Sequence, residues 1–250
     1  MSERVLRNQA DKYRLDPLVT PLRTPILLSD SKGLRLRSQV RVNPESLIEF
    51  WCEPGATATN RLEYLKQHLP SELARVRHSG QRNLVTIFVW VGTCDLTVKQ
   101  GSYIYLKSNT NSAVFALCQT LKDIYHYCRE FGQAVKLVFL QFPVISIYRY
   151  NYFHNYGNGV WKFRQDDIVL HSQIDNVNRY INDLNRVLHV DSPKFSEDLR
   201  KSRRRDNPDC SRLQHTFRFT AYEDGVHPKP FLAKLWLIKI TRLLHDHCYS

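Results

Sequence analysis

Glycine is scarce in this sequence. The chain has 250 residues and only nine glycines, roughly half the number expected at an average content of about 7%. Because glycine adopts backbone conformations that other residues avoid, a glycine in such a chain often marks a turn that requires it. Four of the nine lie in or beside the turns that carry the candidate site described below, namely Gly33, Gly55, Gly92 and Gly225.

Long apolar segments are also lacking. The longest apolar run, residues 137–147, is interrupted by Gln141 and Pro143, whereas a membrane-spanning helix needs roughly 18 apolar residues. The first 25 residues contain five basic residues and no apolar segment typical of a signal peptide. The six cysteines form no C-x-x-C pair and no closely spaced framework, which indicates reduced thiols. The sequence therefore predicts an intracellular protein, cytoplasmic or nuclear, with no membrane span.

Basic residues exceed acidic residues in the chain. There are 36 Lys and Arg against 24 Asp and Glu, a formal net charge of +12, within a globular composition of 42% hydrophobic residues. Such a charge favours anionic partners, nucleic acid or another polyanion. One segment concentrates this charge and is either a solvated loop or a nucleic-acid or nuclear-import contact. Its basic residues are Arg200, Lys201, Arg203, Arg204 and Arg205.

The hydrophobic pattern alternates between short buried strands and amphipathic helices. Nearly continuous apolar runs are typical of strands buried on both faces, as in parallel sheets. The alternation predicts an α/β sandwich around a mostly parallel sheet. The predicted strands are residues 25–29, 47–51, 84–91, 135–142 and 216–222, and the predicted helices are residues 59–69, 112–131, 167–188 and 231–244.

The domain organisation is predicted as a polar N-terminal arm, residues 1–24, followed by one domain over residues 25–250. Two segments interrupt the alternation and are interpreted as insertions, at about residues 148–166 and 191–213. The first is rich in aromatic residues and is predicted to be a loop. It covers the sheet edge, lines a substrate pocket or stacks on single-stranded bases. Its candidate lining residues are Tyr148, Tyr150, Tyr152 and Trp161.

Polar turns follow four of the predicted strands. Ligands of open parallel sheets bind beyond the carboxyl ends of the strands, so these turns should meet at one edge. They bring a serine, a histidine and an aspartate, which are the groups required for nucleophilic acyl transfer. The turns are Asp30-Ser31, Pro54-Gly55-Ala56-Thr57, Gly92-Thr93-Cys94-Asp95 and Asp224-Gly225-Val226-His227.

In this order and spacing, the four turns resemble the conserved blocks of the GDSL, or SGNH, hydrolase family. The resemblance runs from about residue 25 to residue 240. It implies a three-layer α/β/α sandwich with a five-stranded, mostly parallel, flavodoxin-like sheet. It also implies a serine esterase with Ser31 as nucleophile, His227 as general base and Asp224 as its partner. The oxyanion would be held by the backbone N–H groups of Ser31 and Gly55, on a small ester or acylated substrate, with no metal or organic cofactor.

Two positions depart from the family pattern. Ser29 replaces the leading glycine of the first block, and Cys94 stands where the family has an asparagine that donates to the oxyanion. A thiol is a weak donor, and the loss of one oxyanion donor typically costs roughly 10²–10³ in rate. The alternative reading is therefore a catalytically degenerate domain kept as a binding or interaction module. Such a module could belong to a mobile-element protein and contact nucleic acid through its basic surface.

Overall fold

A computed structural model of the chain describes residues 21–41, 45–78, 84–155, 160–200 and 217–249. Within these ranges, four strands form a fully parallel sheet in the order β2-β1-β3-β6, and β4 and β5 form a separate antiparallel hairpin. The central strands β1 and β3 are apolar and almost completely buried. The strands are β1 (Thr24–Ser29), β2 (Glu49–Cys52), β3 (Val85–Trp90), β4 (Thr97–Gln100), β5 (Tyr103–Leu106) and β6 (Val135–Phe139).

Helices flank this sheet in two layers. The helices α2, α4 and α6 pack side by side in one layer, and α1 packs against α7, which contacts β1 and β3, in the other. The arrangement is a three-layer α/β/α sandwich, as the sequence predicts. The helices are α1 (Ser31–Arg37), α2 (Ala58–His78), α3 (Thr93–Leu96), α4 (Ser112–Arg129), α5 (Ile147–His154), α6 (Phe163–Leu188) and α7 (Pro230–Cys248).

Two of the predicted elements are wrong. The aromatic segment predicted as a loop contains the helix α5 and a short 3-10 helix at Val160–Lys162. The helix α5 forms because Ser146 caps its first turn by accepting from the N–H of Arg149. The predicted strand at 216–222 forms a 3-10 helix, Phe219–Ala221, between isolated bridges. The described sheet therefore has four strands instead of five.

Side-chain amides of α6 bond to the backbone at the end of β6 and just beyond it. Asn185 of α6 accepts from the backbone N–H of Phe139 at 3.0 Å and donates to the carbonyl of the same residue at 2.7 Å. Asn178, about two turns earlier on α6, makes the equivalent pair of bonds with Phe142, three residues beyond β6, at 2.7 and 3.0 Å. These contacts satisfy backbone groups at the end of β6 and just beyond it that would otherwise be buried without partners.

The basic segment falls mostly outside the described residues. Arg200 is described, is exposed and forms an isolated antiparallel bridge with Phe217. Lys201, Arg203, Arg204 and Arg205 lie outside the described residues, as does the part of the polar arm before residue 21. The polar arm, the single domain and the polyanion contact stay predictions.

Candidate active site

The candidate site begins at the carboxyl ends of β1 and β3, which are neighbours in the sheet. This is the point where the strand order reverses, and such a point forms a crevice at the edge of an α/β sheet. Ser31 is the first residue of α1, and Asp30 caps this helix by accepting from the N–H of Lys32 at 2.9 Å. Ser29, at the family's glycine position, donates its hydroxyl to the carbonyl of Trp90 and so links the two strand ends at 2.8 Å.

A serine, a histidine and an aspartate form a hydrogen-bonded chain at this edge. The Oγ atom of Ser31 lies 3.2 Å from Nε2 of His227. The Nδ1 atom of His227 lies 2.7 Å from Oδ2 of Asp224. Asp224 is buried, and its Oδ1 accepts from the backbone N–H groups of Val226 and His227 at 2.9 and 2.8 Å. The carboxylate is thus fixed by two backbone bonds, which leaves the other oxygen for the imidazole.

The charge state of Asp224 follows from these contacts. Burial alone would raise the pKa of this carboxyl, but hydrogen bonds and the charge of His227 outweigh burial and hold the pKa well below its usual range. An ionised Asp224 accepts a hydrogen bond from Nδ1–H of His227. The Nε2 atom is then left with a lone pair directed at the hydroxyl of Ser31, which is the tautomer that a general base needs.

The turn between Asp224 and His227 requires a glycine. Gly225 has a φ of +97°, and a Cβ atom there would lie 2.6 Å from Cβ of Arg149 and 2.9 Å from the carbonyl of Ser146. The Ser146 N–H also donates to the carbonyl of Gly225 at 3.0 Å. The turn therefore packs closely against the start of α5, and this contact helps to position His227.

Three groups that follow the neighbouring strands β1, β2 and β3 are candidate donors to an oxyanion. Within the described ranges, the backbone N–H groups of Ser31 and Gly55 have no hydrogen-bond acceptor. Gly55 lies in the exposed turn after β2, which neighbours β1, and the N–H of Glu53 bonds to the carbonyl of Ser29 at 3.2 Å. Cys94 is the third group and is the second residue of α3.

Cys94 is held as a neutral thiol. Burial, and secondly the charge of Asp30, raise the pKa of this thiol above its ordinary value. The turn before it needs Gly92, because a Cβ atom there would lie 2.3 Å from Cζ of Phe142 at a φ of +139°. Asp95 then accepts from the N–H of Ala58 at 2.9 Å and so ties this turn to the start of α2. The position is structurally fixed and offers an S–H donor in place of an amide.

Sequence reasoning missed a buried ion pair beside Ser31. Lys32 is 0% exposed, and its ammonium lies 2.5 Å from Oδ2 of Asp30 and also donates to the hydroxyl of Thr93. The ammonium lies 5.5 Å from the ring of Trp90. The pair connects the turn that carries Ser31 to the turn that carries Cys94. A lysine next to a polar turn gives no sequence signal of burial, since lysine is almost always exposed.

Sequence reasoning also missed a second histidine. The Nε2 atom of His154, at the end of α5, lies 3.4 Å from Oδ2 of Asp224, the oxygen that also bonds to His227. The ring of His154 packs 4.2 Å from the buried ring of Tyr150. Because the aromatic segment was predicted to be a loop, no periodicity connected His154 to the other site residues.

The aromatic residues proposed as substrate-lining fall into different places. Tyr150 is buried in the core, whereas Trp161 is 61% exposed and packs against Tyr148 with ring centroids 5.8 Å apart. Tyr152 is exposed and lines a cavity of about 260 Å³ whose wall also includes Asp224. The cavity is completed by Arg149, Phe153, Phe219 and Lys229, among others. Of the four predicted residues, only Tyr152 lines this cavity.

Comparisons with known proteins agree with this architecture. No protein-family model matches the sequence, and a search of curated proteins finds no significant match. Solved structures do match. A lipase/acylhydrolase from Enterococcus faecalis is similar over 90% of this chain and 97% of its own, with 15% identity and a TM-score of 0.55. A GDSL-like lipase from Bacteroides thetaiotaomicron is similar over 98% and 97%, with 12% identity and a TM-score of 0.56. An acetyl xylan esterase is similar over 87% and 98%, with 12% identity and a TM-score of 0.50.

These similarities establish the fold. The chain has the α/β/α architecture of the GDSL-type lipases and acylhydrolases, and the resemblance expected from the sequence is confirmed at this level. The identities are low, so the roles of the individual site residues rest on the geometry described above. Among the described helices, none is long and apolar enough to cross a membrane.

Proposed function

We propose that this protein is a serine hydrolase that cleaves esters through an acyl intermediate on Ser31. The observation that carries the proposal is the continuous chain from Ser31 Oγ to His227 Nε2, 3.2 Å, and from His227 Nδ1 to Asp224 Oδ2, 2.7 Å. A nucleophile bonded to a base, and a base oriented by a buried carboxylate, is the arrangement that activates a serine hydroxyl.

The proposed reaction follows from these contacts. His227 removes the proton from Ser31 as the hydroxyl attacks the ester carbonyl, and the same imidazolium then protonates the departing alcohol. Water attacks the acyl-serine in the second half of the reaction, with His227 again as base. Asp224 stays ionised throughout and stabilises the imidazolium, since its low pKa keeps the proton on the histidine.

The oxyanion is held by fewer strong donors than usual. In the described structure the N–H groups of Ser31 and Gly55 have no acceptor, so they are available to donate to the oxyanion. The Cys94 thiol supplies a third, weaker contact. The site is therefore suited to activated esters, whose alcohols leave easily and whose transition states demand less from the oxyanion donors.

A second candidate function rests on Cys94 alone. If the two N–H groups and the weak thiol donor do not sustain turnover, the domain acts as a binding or interaction module that retains the hydrolase architecture. The two candidates differ in one property, since only the hydrolase forms a covalent acyl-serine.

Steady-state hydrolysis of p-nitrophenyl acetate tests the proposed function. We expect Ser31→Ala and Asp224→Asn each to lose at least about 10⁴ in kcat. The first removes the nucleophile, and the second favours the wrong histidine tautomer. Ser71→Ala, an exposed serine on α2, is the matched control and should retain the parent rate. A Ser31→Ala variant as active as the parent would rule out the acyl-serine mechanism.

A further inference from the structure

A second cavity lies at the opposite edge of the sheet from Ser31. Its volume is about 510 Å³, and it opens where β6 begins, at Val135, beside the ends of α4 and α6. A cavity of this size is large enough for a small organic ligand. Its lining combines cationic groups with apolar side chains. The cationic groups are Arg23, Arg129 and Lys136, and the apolar part of the lining includes Leu137 and Leu188.

One of these cations is held rigidly. The guanidinium of Arg23 donates from Nη2 to the carbonyls of Val85, Gln133 and Ala134 at 3.0, 3.0 and 3.3 Å. Its Nε donates to the hydroxyl of Thr86 at 3.2 Å. All four acceptors are neutral, so these bonds fix the position of the guanidinium without cancelling its charge.

The positive charge of this cavity is not offset by acidic groups in its wall. Among the described residues, no carboxylate lines the cavity, and neither Arg129 nor Lys136 forms an ion pair. Burial and the nearby charge of Arg23 lower the pKa of Lys136. An anion bound beside Lys136 would therefore stabilise the charged form of this side chain.

We propose that this cavity binds an organic phosphate, with the phosphate between Arg23, Arg129 and Lys136 and the organic part against the apolar part of the lining. Guanidinium groups match the geometry of phosphate oxygens, and an ammonium adds a point charge. The combination of several cations with Leu137 and Leu188 favours a phosphate monoester over a bare inorganic ion. The same chemistry is offered by a free nucleotide and by the 5′-phosphate of a nucleic-acid strand.

This site is separate from the proposed hydrolase chemistry. It lies at the amino ends of the strands, whereas Ser31 and His227 lie at the carboxyl ends. The proposal therefore stands or falls independently of ester hydrolysis. It also differs from the basic cluster near residue 200, because folding joins Arg23 to Arg129 and Lys136, which lie far from it in the sequence.

Isothermal titration calorimetry on the full chain tests the proposal with three probes: inorganic phosphate, AMP, and an oligothymidylate with or without a 5′-phosphate. We expect AMP to bind more tightly than inorganic phosphate. Lys136→Gln and Arg129→Gln should each weaken AMP binding at least about tenfold, since each removes a charge-assisted contact. Lys99→Gln, which removes an exposed lysine from β4 outside this cavity, is the matched control and should bind as the parent does.

The oligonucleotides distinguish the two sources of the phosphate. Binding that requires the 5′-phosphate and is lost in Lys136→Gln identifies the end of a strand, and binding of AMP alone identifies a free nucleotide. Oligonucleotide binding that is indifferent to the 5′-phosphate and to both variants reflects the net charge only and overturns the proposal. Absence of AMP and oligonucleotide binding by the parent overturns it as well. Thermal unfolding of each variant shows that the comparison is made between folded proteins.

Discussion

In the proposed hydrolase, we expect the rate to depend strongly on the residue at position 94, which is a cysteine. Its neighbours hold it firmly, since Gly92 forms the turn before it and Asp95 bonds to the start of α2 after it. Because burial keeps the thiol neutral, its contribution to an oxyanion is that of a weak S–H donor.

Cys94→Asn should raise kcat on an activated ester at least about tenfold. An amide N–H is a much better partner for a developing oxyanion, and the gain is below the full cost of a missing donor because the pocket has packed around sulfur. KM should change little, since the contact forms mainly in the transition state. Cys118→Asn, at a half-buried cysteine of α4, is the control. Equal kcat values for parent and Cys94→Asn, with both folded, would place Cys94 outside the oxyanion site.

The buried pair of Asp30 and Lys32 is a second feature at the scale of single residues. Two charges taken out of water are tolerated only when they satisfy each other. Here the ammonium bonds to the carboxylate and to Thr93, and the carboxylate also caps α1. The pair thus holds the Ser31 turn against the Cys94 turn.

Lys32→Met should destabilise the protein by about 3–5 kcal/mol, because it leaves the Asp30 carboxylate buried without a partner. Urea unfolding measures this free energy. Lys122→Met, an exposed lysine on α4, should change stability by less than about 0.5 kcal/mol. The double variant Asp30→Asn/Lys32→Met should recover much of the loss, since it removes both charges. A Lys32→Met variant as stable as the parent would show that the two charges are not paired in the folded protein.

At the scale of the elements, hydrophobic periodicity identifies the strands and helices that bury apolar side chains against their neighbours. The buried run at 84–91 is confirmed as β3, and the apolar stripe at 167–188 is confirmed within α6. The hydrophobic pattern gives the wrong prediction, or none, where polar side chains bond to the backbone. The hydroxyl of Ser146 caps the helix α5, and amides of α6 bond to the backbone at the end of β6 and just beyond it.

Such contacts leave no hydrophobic signature, because asparagine and serine read as solvent-facing residues in a sequence. Asn185 lies on the buried side of α6 among its apolar residues, yet its role becomes clear only once β6 is beside it. The predicted strand at 216–222 fails for a related reason. Its alternation of apolar and polar residues is compatible with the 3-10 helix at Phe219–Ala221, which buries Tyr222 beyond it.

Asn185→Leu should lower the free energy of unfolding by about 2–4 kcal/mol. Leucine has a similar volume, but it leaves the N–H and the carbonyl of Phe139 buried without partners, and each such group costs about 1–3 kcal/mol. Asn182→Leu is the matched control, because Asn182 is exposed and accepts from the side chain of Gln141 instead of bonding to the backbone of β6. Similar losses for the two variants in urea unfolding would show that the amide bonds to β6 contribute no stability.

At the scale of the whole molecule, the parallel sheet brings distant residues together. Ser31 and His227 are 196 residues apart in the chain and lie 3.2 Å apart at the carboxyl edge of the sheet. This juxtaposition could be predicted from the sequence, because turns that follow parallel strands share one edge. The contacts of Lys32 with Asp30 and of His154 with Asp224 could not be predicted. The first depends on the burial of a lysine, and the second on a helix that the pattern did not indicate.

Labelling with a fluorophosphonate, followed by mass spectrometry of the labelled peptide, tests the central claim most directly. The reagent forms a stable P–O bond with a serine hydroxyl that a base has activated, and fluoride leaves. We predict that the parent is labelled on Ser31, that Asp224→Asn is labelled far more slowly, and that Ser31→Ala is not labelled. A folded parent that takes up no label, or takes it up on another serine, would contradict the account.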